Sequence, residues 1–226
     1  MNLLIYGPNS EEINKLANKA GLKVVERDPD IIASYGGDGT FVKAENEFPG
    51  IPKFALKNSK ICKLCQDIPT EETFRKVLAG EYVVRGETKI EANFENKKII
   101  GLNEIIVHNI DPRRAIRYQI FINGKKAGNE IIGDGLVIST PHGATGYYRS
   151  ITHSFFEVGL GIAFNNSIEQ SDHMVIKEDS EIVIKITRGK AVVYADNSDD
   201  EIILDDDHEI VVRKCINGAK IIKFVK

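Results

Sequence analysis

Ile31-Ile32-Ala33-Ser34-Tyr35-Gly36-Gly37-Asp38-Gly39-Thr40 runs an apolar stretch directly into a glycine-rich turn. Residues 31–35 read as a strand, and the residues after Thr40 as a helix. That succession opens an α/β nucleotide-binding layer. Adjacent glycines let the backbone approach a ligand closely, and their amides, with the helix N-terminus behind them, favour phosphate. An aspartate set inside such a loop would stand beside the phosphates, where it could hold Mg²⁺ or accept a hydroxyl proton. Together these features point to phosphoryl transfer; the alternative is a tight turn capped by an acid. The loop lacks the Gly-Lys-Ser/Thr of a Walker A sequence and the spacing of GxGxxG.

Working outward, residues 2–6 read as a strand, followed by a turn and helix cap at Gly7-Pro8-Asn9-Ser10, with Glu11 and Glu12 in the first helical turn. Ile13, Leu16, Ala17 and Ala20 recur at helical spacing until Gly21 stops the run. Segments 22–26 and 51–56 are further strand candidates, and Pro69-Thr70-Glu71-Glu72 starts a helix over 73–79. From Tyr82 onward, β-branched runs at 116–122, 182–187 and 210–213 alternate with turn residues, which predicts antiparallel strands. Asn123-Gly124 is a hairpin signal, and Asn217-Gly218 repeats it. The expected architecture is therefore an α/β nucleotide-binding domain at 1–80 and a mostly antiparallel β domain at 81–226. The acid-rich stretches 196–200 and 205–207 are read as solvated turns.

The 226 residues, 42% hydrophobic and 28% charged, suit a folded globular chain rather than a disordered one. Thirty Lys plus Arg against 33 Asp plus Glu leave a net charge of −3, so no basic field points to nucleic acid or anionic lipid as partner. Apolar runs are too short for a membrane span, and no charged leader is recognised, so a cytoplasmic location is expected. Three cysteines make no disulfide scaffold and fit a reducing compartment. Cys62-Lys63-Leu64-Cys65 has the spacing of half a zinc knuckle, but no second ligand pair follows, and two unconnected thiols are expected. The five histidines form no local cluster, so no metal site built by the protein alone is expected.

Two further motifs lie in the β region. Gly133-Asp134-Gly135 leads an apolar run, 136–138, into Ser139-Thr140-Pro141-His142-Gly143-Ala144-Thr145-Gly146-Tyr147-Tyr148, a loop rich in groups that hydrogen-bond a sugar or base edge. Asn103-Glu104 sets an amide and a carboxylate at the start of the apolar run Ile105-Ile106-Val107, where polar side chains need partners.

With the three motifs in this order, the chain resembles the NAD kinase family, a group of GGDGT-loop kinases that phosphorylate the 2′-hydroxyl of the adenosine ribose of NAD. The resemblance covers most of the chain and implies an NAD kinase making NADP from NAD and ATP with Mg²⁺ or another divalent cation. It implies Asp38 as the catalytic acidic residue, taking the hydroxyl proton, with a share in the cation. Gly36, Gly37, Gly39 and Thr40 would meet the ATP phosphates. Asn103, Glu104, Asp134, Thr145, Gly146, Tyr147 and Ser150 would meet NAD. It also implies a homodimer or homotetramer. The family's GxNxGxLGF segment has no counterpart glycines in 55–63, where Ala55, Ser59 and Cys62 stand instead, and the TPTGSTAY and SxGGP motifs are altered at His142, Ala144, Gly146 and 151–153. Two alternatives are therefore carried. One is an NAD(P)-binding regulatory protein without efficient transfer, and the other a lipid-type kinase of another alcohol. Arg113, Arg114, Arg117 and Arg149 are read either as phosphate contacts or as solvated charges.

Overall fold

The computed structural model describes residues 1–58, 62–168 and 173–225. The chain divides into two units, one of Met1–Glu87 with Gly218–Lys226 and one of Thr88–Asn217. The boundary expected at 80/81 therefore moves, and the C-terminal segment returns to the first unit instead of ending the second.

The first unit contains β1 (Asn2–Tyr6), α1 (Glu11–Ala20), β2 (Lys23–Val24), β3 (Ile31–Gly36), α2 (Asp38–Glu47), β4 (Lys53–Lys57), α3 (Thr70–Ala79), β5 (Tyr82–Glu87) and the C-terminal strand (Ala219–Phe224). Its sheet runs β2-β1-β3-β4-C-terminal strand-β5, parallel throughout except where the last strand meets β5. The chain leaves β1 toward β2 on one side and β3 toward β4 on the other. The strand order thus reverses between β1 and β3, the position where open α/β sheets bind ligands beyond the carboxyl ends of their strands. Both ends carry glycine. Gly7, at φ +145°, approaches β3 so closely that a Cβ there would lie 2.1 Å from the Tyr35 carbonyl oxygen.

Period-two alternation sends Leu3, Ile5, Ile31 and Ala33 to one face, where Ile13 and Ala17 of α1 and Phe74 and Val77 of α3 cover them. Ile32 takes the opposite face and is also fully buried, while α2 packs on β3 and β4. The helix of Glu11 and Glu12 forms as expected and stops at left-handed Gly21, but the Ser10 side chain makes no cap hydrogen bond. Only two residues of 22–26 pair as a strand, and α3 begins at Thr70, ahead of the expected 73.

The second unit contains β6 (Ile90–Phe94), β7 (Lys97–Gly101), β8 (Glu104–Asn109), β9 (Ile116–Ile122), β10 (Lys125–Lys126), β11 (Ile131–Gly133), β12 (Gly135–Ser139), α4 (Tyr147–Thr152), β13 (Leu160–Asn165), β14 (His173–Ile176), β15 (Ile182–Arg188), β16 (Ala191–Ala195), β17 (Glu201–Leu204) and β18 (Glu209–Lys214). One antiparallel sheet runs β10-β9-β15-β18-β6-β7 with β11 beside β9, and another runs β14-β13-β12-β8-β16-β17. Their inward residues, among them Ile105, Val107, Leu136, Ile138, Tyr118, Ile120 and Ile184, merge in one core. Outward-facing Ile106, Val137 and Ala163 pack under Tyr148 of α4. Asn123 and Gly124, at φ 51° and 75°, close the β9–β10 hairpin. Asn217-Gly218 does not close one. It links β18 to the C-terminal strand, and these two lie in different sheets. The turn chemistry is local, whereas pairing is decided by the core each strand joins. Among the described residues no helix is long and apolar enough to cross a membrane.

Candidate active site

In the first unit, Asp38 is the first residue of α2, and Gly37 caps the helix in an extended conformation. The first amides of a helix have no carbonyl one turn back to bind, so this loop presents N–H groups and the positive end of the helix dipole. Thr40 occupies the space beside Gly36. A Cβ on Gly36 would lie 2.2 Å from the Thr40 Oγ1, so the Gly-Gly-Asp-Gly-Thr turn needs glycine there. The half-buried Asp38 carboxylate accepts hydrogen bonds from the backbone N–H of Lys63 (3.2 Å) and of Leu64 (3.1 Å). Those two residues lie between Cys62 and Cys65, which form a disulfide. The expectation of two unconnected thiols is thus overturned. A one-turn Cys-x-x-Cys loop folds its own ends together, which spacing alone does not reveal. Residues 59–61 of the substituted 55–63 segment lie outside the described residues.

Behind the loop, Lys53 and Glu45 form an ion pair at 2.8 Å with both side chains fully buried. The Lys53 ammonium also donates to the carbonyls of Phe48 and Ile51, at 2.5 and 2.8 Å. Its donors are thereby matched, which is the condition for a buried charge to be tolerated. Tyr6 donates its hydroxyl to Glu47, and burial beside that carboxylate pushes the phenol up to about 12. These contacts seat α2, and so Asp38, on the sheet.

In the second unit the β8–β12 pairing sets Ser139 opposite Glu104. Thr140 locks the Asn-Glu turn to the loop after β12. Its N–H donates to the Asn103 carbonyl (2.8 Å), its hydroxyl to the Leu102 carbonyl (2.7 Å), and Gly143 packs against the Asn103 backbone. Asp134 accepts from Asn109 (3.2 Å) and from Asn166 (2.6 Å). Gly135 follows at φ +143°, with the Val107 carbonyl oxygen only 1.9 Å from where its Cβ would be. The Asp-Gly pair is thus a backbone requirement as well as a chemical one. Tyr147 opens α4. Its phenol is raised first by burial, then by the nearby charges of Asp134 and Glu104. Gly146 lies beside the Glu104 carboxyl, with Oε2 3.7 Å from an added Cβ.

Glu104 is buried, and its Oε2 has no hydrogen-bond partner among the described residues. Burial first, and then the neighbouring charge of Asp196, pushes its carboxyl up to about 8. Asp196 is raised by burial too, but it accepts the backbone N–H groups of Leu102 (2.8 Å), Asn103 (2.8 Å) and Glu104 (3.0 Å), which favour its charged form. Within this pair the amide donors favour the charged form of Asp196 alone, so Glu104 is the member that burial drives toward its protonated form. A protonated, unpartnered carboxyl can donate to a ligand oxygen.

Asn103, Glu104 and Gly146 stand where β8 starts and β12 ends, Asp134 stands at the opposite end of that pairing beside Asn109, and Tyr147 feels the charges of both Asp134 and Glu104. Thr145 stands in the connecting turn. Ser150 does not join them: it is exposed on α4, and its hydroxyl donates to the Tyr147 carbonyl. Arg113 and Arg114 pair with Asp111, and Arg117 with Glu130, as solvated charges. Asp196, expected in a solvated turn, is instead the anchor of the Asn-Glu segment. Its signal was its place directly after the alternating, half-buried strand Ala191–Ala195. Tyr194, raised by burial and by Tyr147 and Glu104, was missed as well. Among the described residues no group of three or more His, Cys, Asp or Glu forms a metal site.

A family model described as the ATP-NAD kinase C-terminal domain matches residues 102–224. The NAD kinase of Pyrococcus furiosus is 29% identical over 210 residues, covering 89% of this chain and 76% of that protein. That of Sulfurisphaera tokodaii is 28% identical over 242 residues, covering 99% and 96%. Among solved structures, an NAD kinase from Archaeoglobus fulgidus in complex with ATP superposes with a TM-score of 0.81 at 20% identity, covering 100% of this chain and 94% of that one. Yeast NADH kinase complexed with NADH gives 0.83 at 18%, covering 100% and 84%. At those identities the superpositions speak for the fold, and the matched family model goes further: the chain belongs to the ATP-NAD kinase family.

Proposed function

We propose that the protein is an NAD kinase that transfers the γ-phosphoryl group of ATP to the 2′-hydroxyl of the adenosine ribose of NAD. The observation that carries this reading is the buried Glu104 carboxyl beside Asn103, whose Oε2 has no hydrogen-bond partner among the described residues and whose charge reaches Tyr147. A buried carboxyl without a partner is costly unless a ligand supplies one, and a ribose hydroxyl matches it. The first unit supplies the phosphate chemistry. Gly36, Gly37 and Gly39 leave backbone amides open to ATP oxygens, Thr40 holds the turn, and Asp38 accepts the hydroxyl proton as the phosphoryl group transfers. A divalent cation carried by ATP would neutralise charge on the phosphates, with Asp38 as its candidate protein ligand. Asn103, Glu104, Asp134, Thr145, Gly146 and Tyr147 hold the dinucleotide, and Ser150 takes part through its bond to Tyr147.

An enzyme that spends ATP and NAD works where both pools are kept, so we place it in the cytoplasm. A homodimer or homotetramer would cover the exposed Phe155, Val158 and Val175 of the second unit; light scattering on the eluting protein would read its mass. The decisive assay supplies ATP, Mg²⁺ and NAD and reads NADP with a coupled dehydrogenase. The wild type should make NADP, and Asp38→Ala should lose about 10²–10⁴ in kcat. A folded Asp38→Ala sample with wild-type turnover would overturn the role of Asp38. NAD or NADP binding without turnover would favour a regulatory protein, which the altered segment ending in the disulfide could produce.

A further inference from the structure

The Cys62–Cys65 disulfide stands beside the one carboxylate proposed to do chemistry, and the two facts are connected by hydrogen bonds. Both amides held by Asp38 belong to the residues inside the disulfide ring. The Cys65 N–H turns back onto the Cys62 Sγ at 3.2 Å, completing a closed turn. The flanking segment is tied elsewhere. The Asn58 N–H donates to the Gly36 carbonyl, and Gln66 exchanges hydrogen bonds with the Phe224 backbone. Between these anchors the Asp38 bonds and the disulfide that closes the turn both orient the 63–64 amides. Both cysteines are partly exposed, so a solution thiol can reach them. Cys215 differs. It is buried, its thiol donates to Glu91, and burial with that neighbouring carboxylate pushes it up to about 11.

We propose that Cys62 and Cys65 form a thiol–disulfide exchange site whose oxidised state positions Asp38 for catalysis, so that a dithiol reductant of the protein or small-molecule class lowers turnover. This rests on the assignment of Asp38 as proton acceptor. In the exchange, a reductant thiolate attacks one sulfur, the Cys–Cys bond breaks, and the released cysteine takes up a proton. The second reductant thiol then attacks the mixed disulfide and frees the other cysteine. Two electrons and two protons pass to the protein, and the reductant leaves as its own disulfide. Once open, the Cys-Lys-Leu-Cys turn regains backbone freedom, and Asp38 loses the two donors that fix its rotamer. Cys62 and Cys65 are positioning residues, because they act through the amides and not on substrate.

The test compares the whole protein as oxidised by diamide and as reduced by dithiothreitol. Thiol titration after denaturation should find one thiol in the oxidised chain and three in the reduced chain, which carries three cysteines. Reduction should lower kcat roughly tenfold or more, the scale of a mispositioned catalytic group, with the KM values for ATP and NAD unchanged. Reoxidation should restore it. Cys62→Ser/Cys65→Ser should match the reduced enzyme and ignore dithiothreitol, while Cys215→Ser should keep the full response. Amide hydrogen exchange at 62–65 should quicken on reduction and also in Asp38→Ala. Three thiols after diamide, unchanged or higher kcat on reduction, or an equal response in the double variant would each overturn the proposal. If no redox state makes NADP, the functional assignment fails by itself, and the exchange rates at 62–65 still decide whether the disulfide and Asp38 are coupled.

Discussion

Glu104 shows how much one residue's surroundings decide. An exposed glutamate would be ionised at neutral pH, but here burial and Asp196 hold the carboxyl up at about 8. The folded state therefore keeps a proton that the unfolded chain releases near the ordinary value of 4.5. Between those two values the native state binds more protons, so stability is highest below the lower one and falls as pH rises through the upper one. We expect the melting temperature to drop between roughly pH 5 and 8, by an amount worth up to a few kcal/mol. Glu104→Gln should flatten that slope, and scanning calorimetry over the range checks it. Asp196→Ala would strand the amides of Leu102, Asn103 and Glu104. At about 1–3 kcal/mol for an unsatisfied buried group, a loss of roughly 3 kcal/mol or more in urea unfolding is expected, together with weaker NAD binding by calorimetry. Neither effect is visible in the letters alone. Asn103-Glu104 is legible as polar residues at the head of an apolar strand, but its anchor is ninety-odd positions away and looks like part of an acidic turn.

At the scale of elements, α2 carries Asp38, and its seating rests on a charge with no access to water. Lys53 and Glu45 are each fully buried. Lys53→Met leaves Glu45 without its cation and should cost about 3–5 kcal/mol in chemical denaturation, whereas Lys53→Met/Glu45→Leu should recover most of that loss. The second element with little tolerance is the start of β12. Gly135→Ala puts a methyl against the Val107 carbonyl at a positive φ, and it should disturb the β8–β12 register that places Glu104 at one end of the pairing and Asp134 at the other. Loss of soluble folded protein, or of protection at 104–109 in hydrogen exchange, would show it. Most elements were legible because their patterns are local. The run 116–122 became β9 at those limits, since its alternation matches a sheet with one buried face. Ser10 and the 22–26 run promised more than they delivered, because capping and pairing need a partner in the right place.

For the whole molecule, the C-terminal strand is the clearest case of a distant segment completing a core. Ala219–Phe224 lies between β4 and β5, and Ile222 and Phe224 are buried with Phe54 and Phe74. Ending the chain at 217 would remove the strand that joins β5 to the sheet, along with two side chains worth about 1.5–3 kcal/mol each in burial. We expect residues 1–87 to lose exchange protection while 88–217, with its own core, keeps it; equal loss in both would contradict the two-unit division. By itself the sequence determined the class of each half, the strand–glycine–helix turn at Asp38, and the order of three polar motifs, because turn residues and apolar periodicity act over a few neighbours. Only the tertiary structure decided that the last strand belongs to the first unit, that Asp196 carries the Asn-Glu turn, that Cys62 and Cys65 are joined, and that the Glu104 carboxyl is pushed up. Each of those depends on which distant groups share a dry space, and burial, not local spacing, sets the energy of charges and hydrogen bonds there.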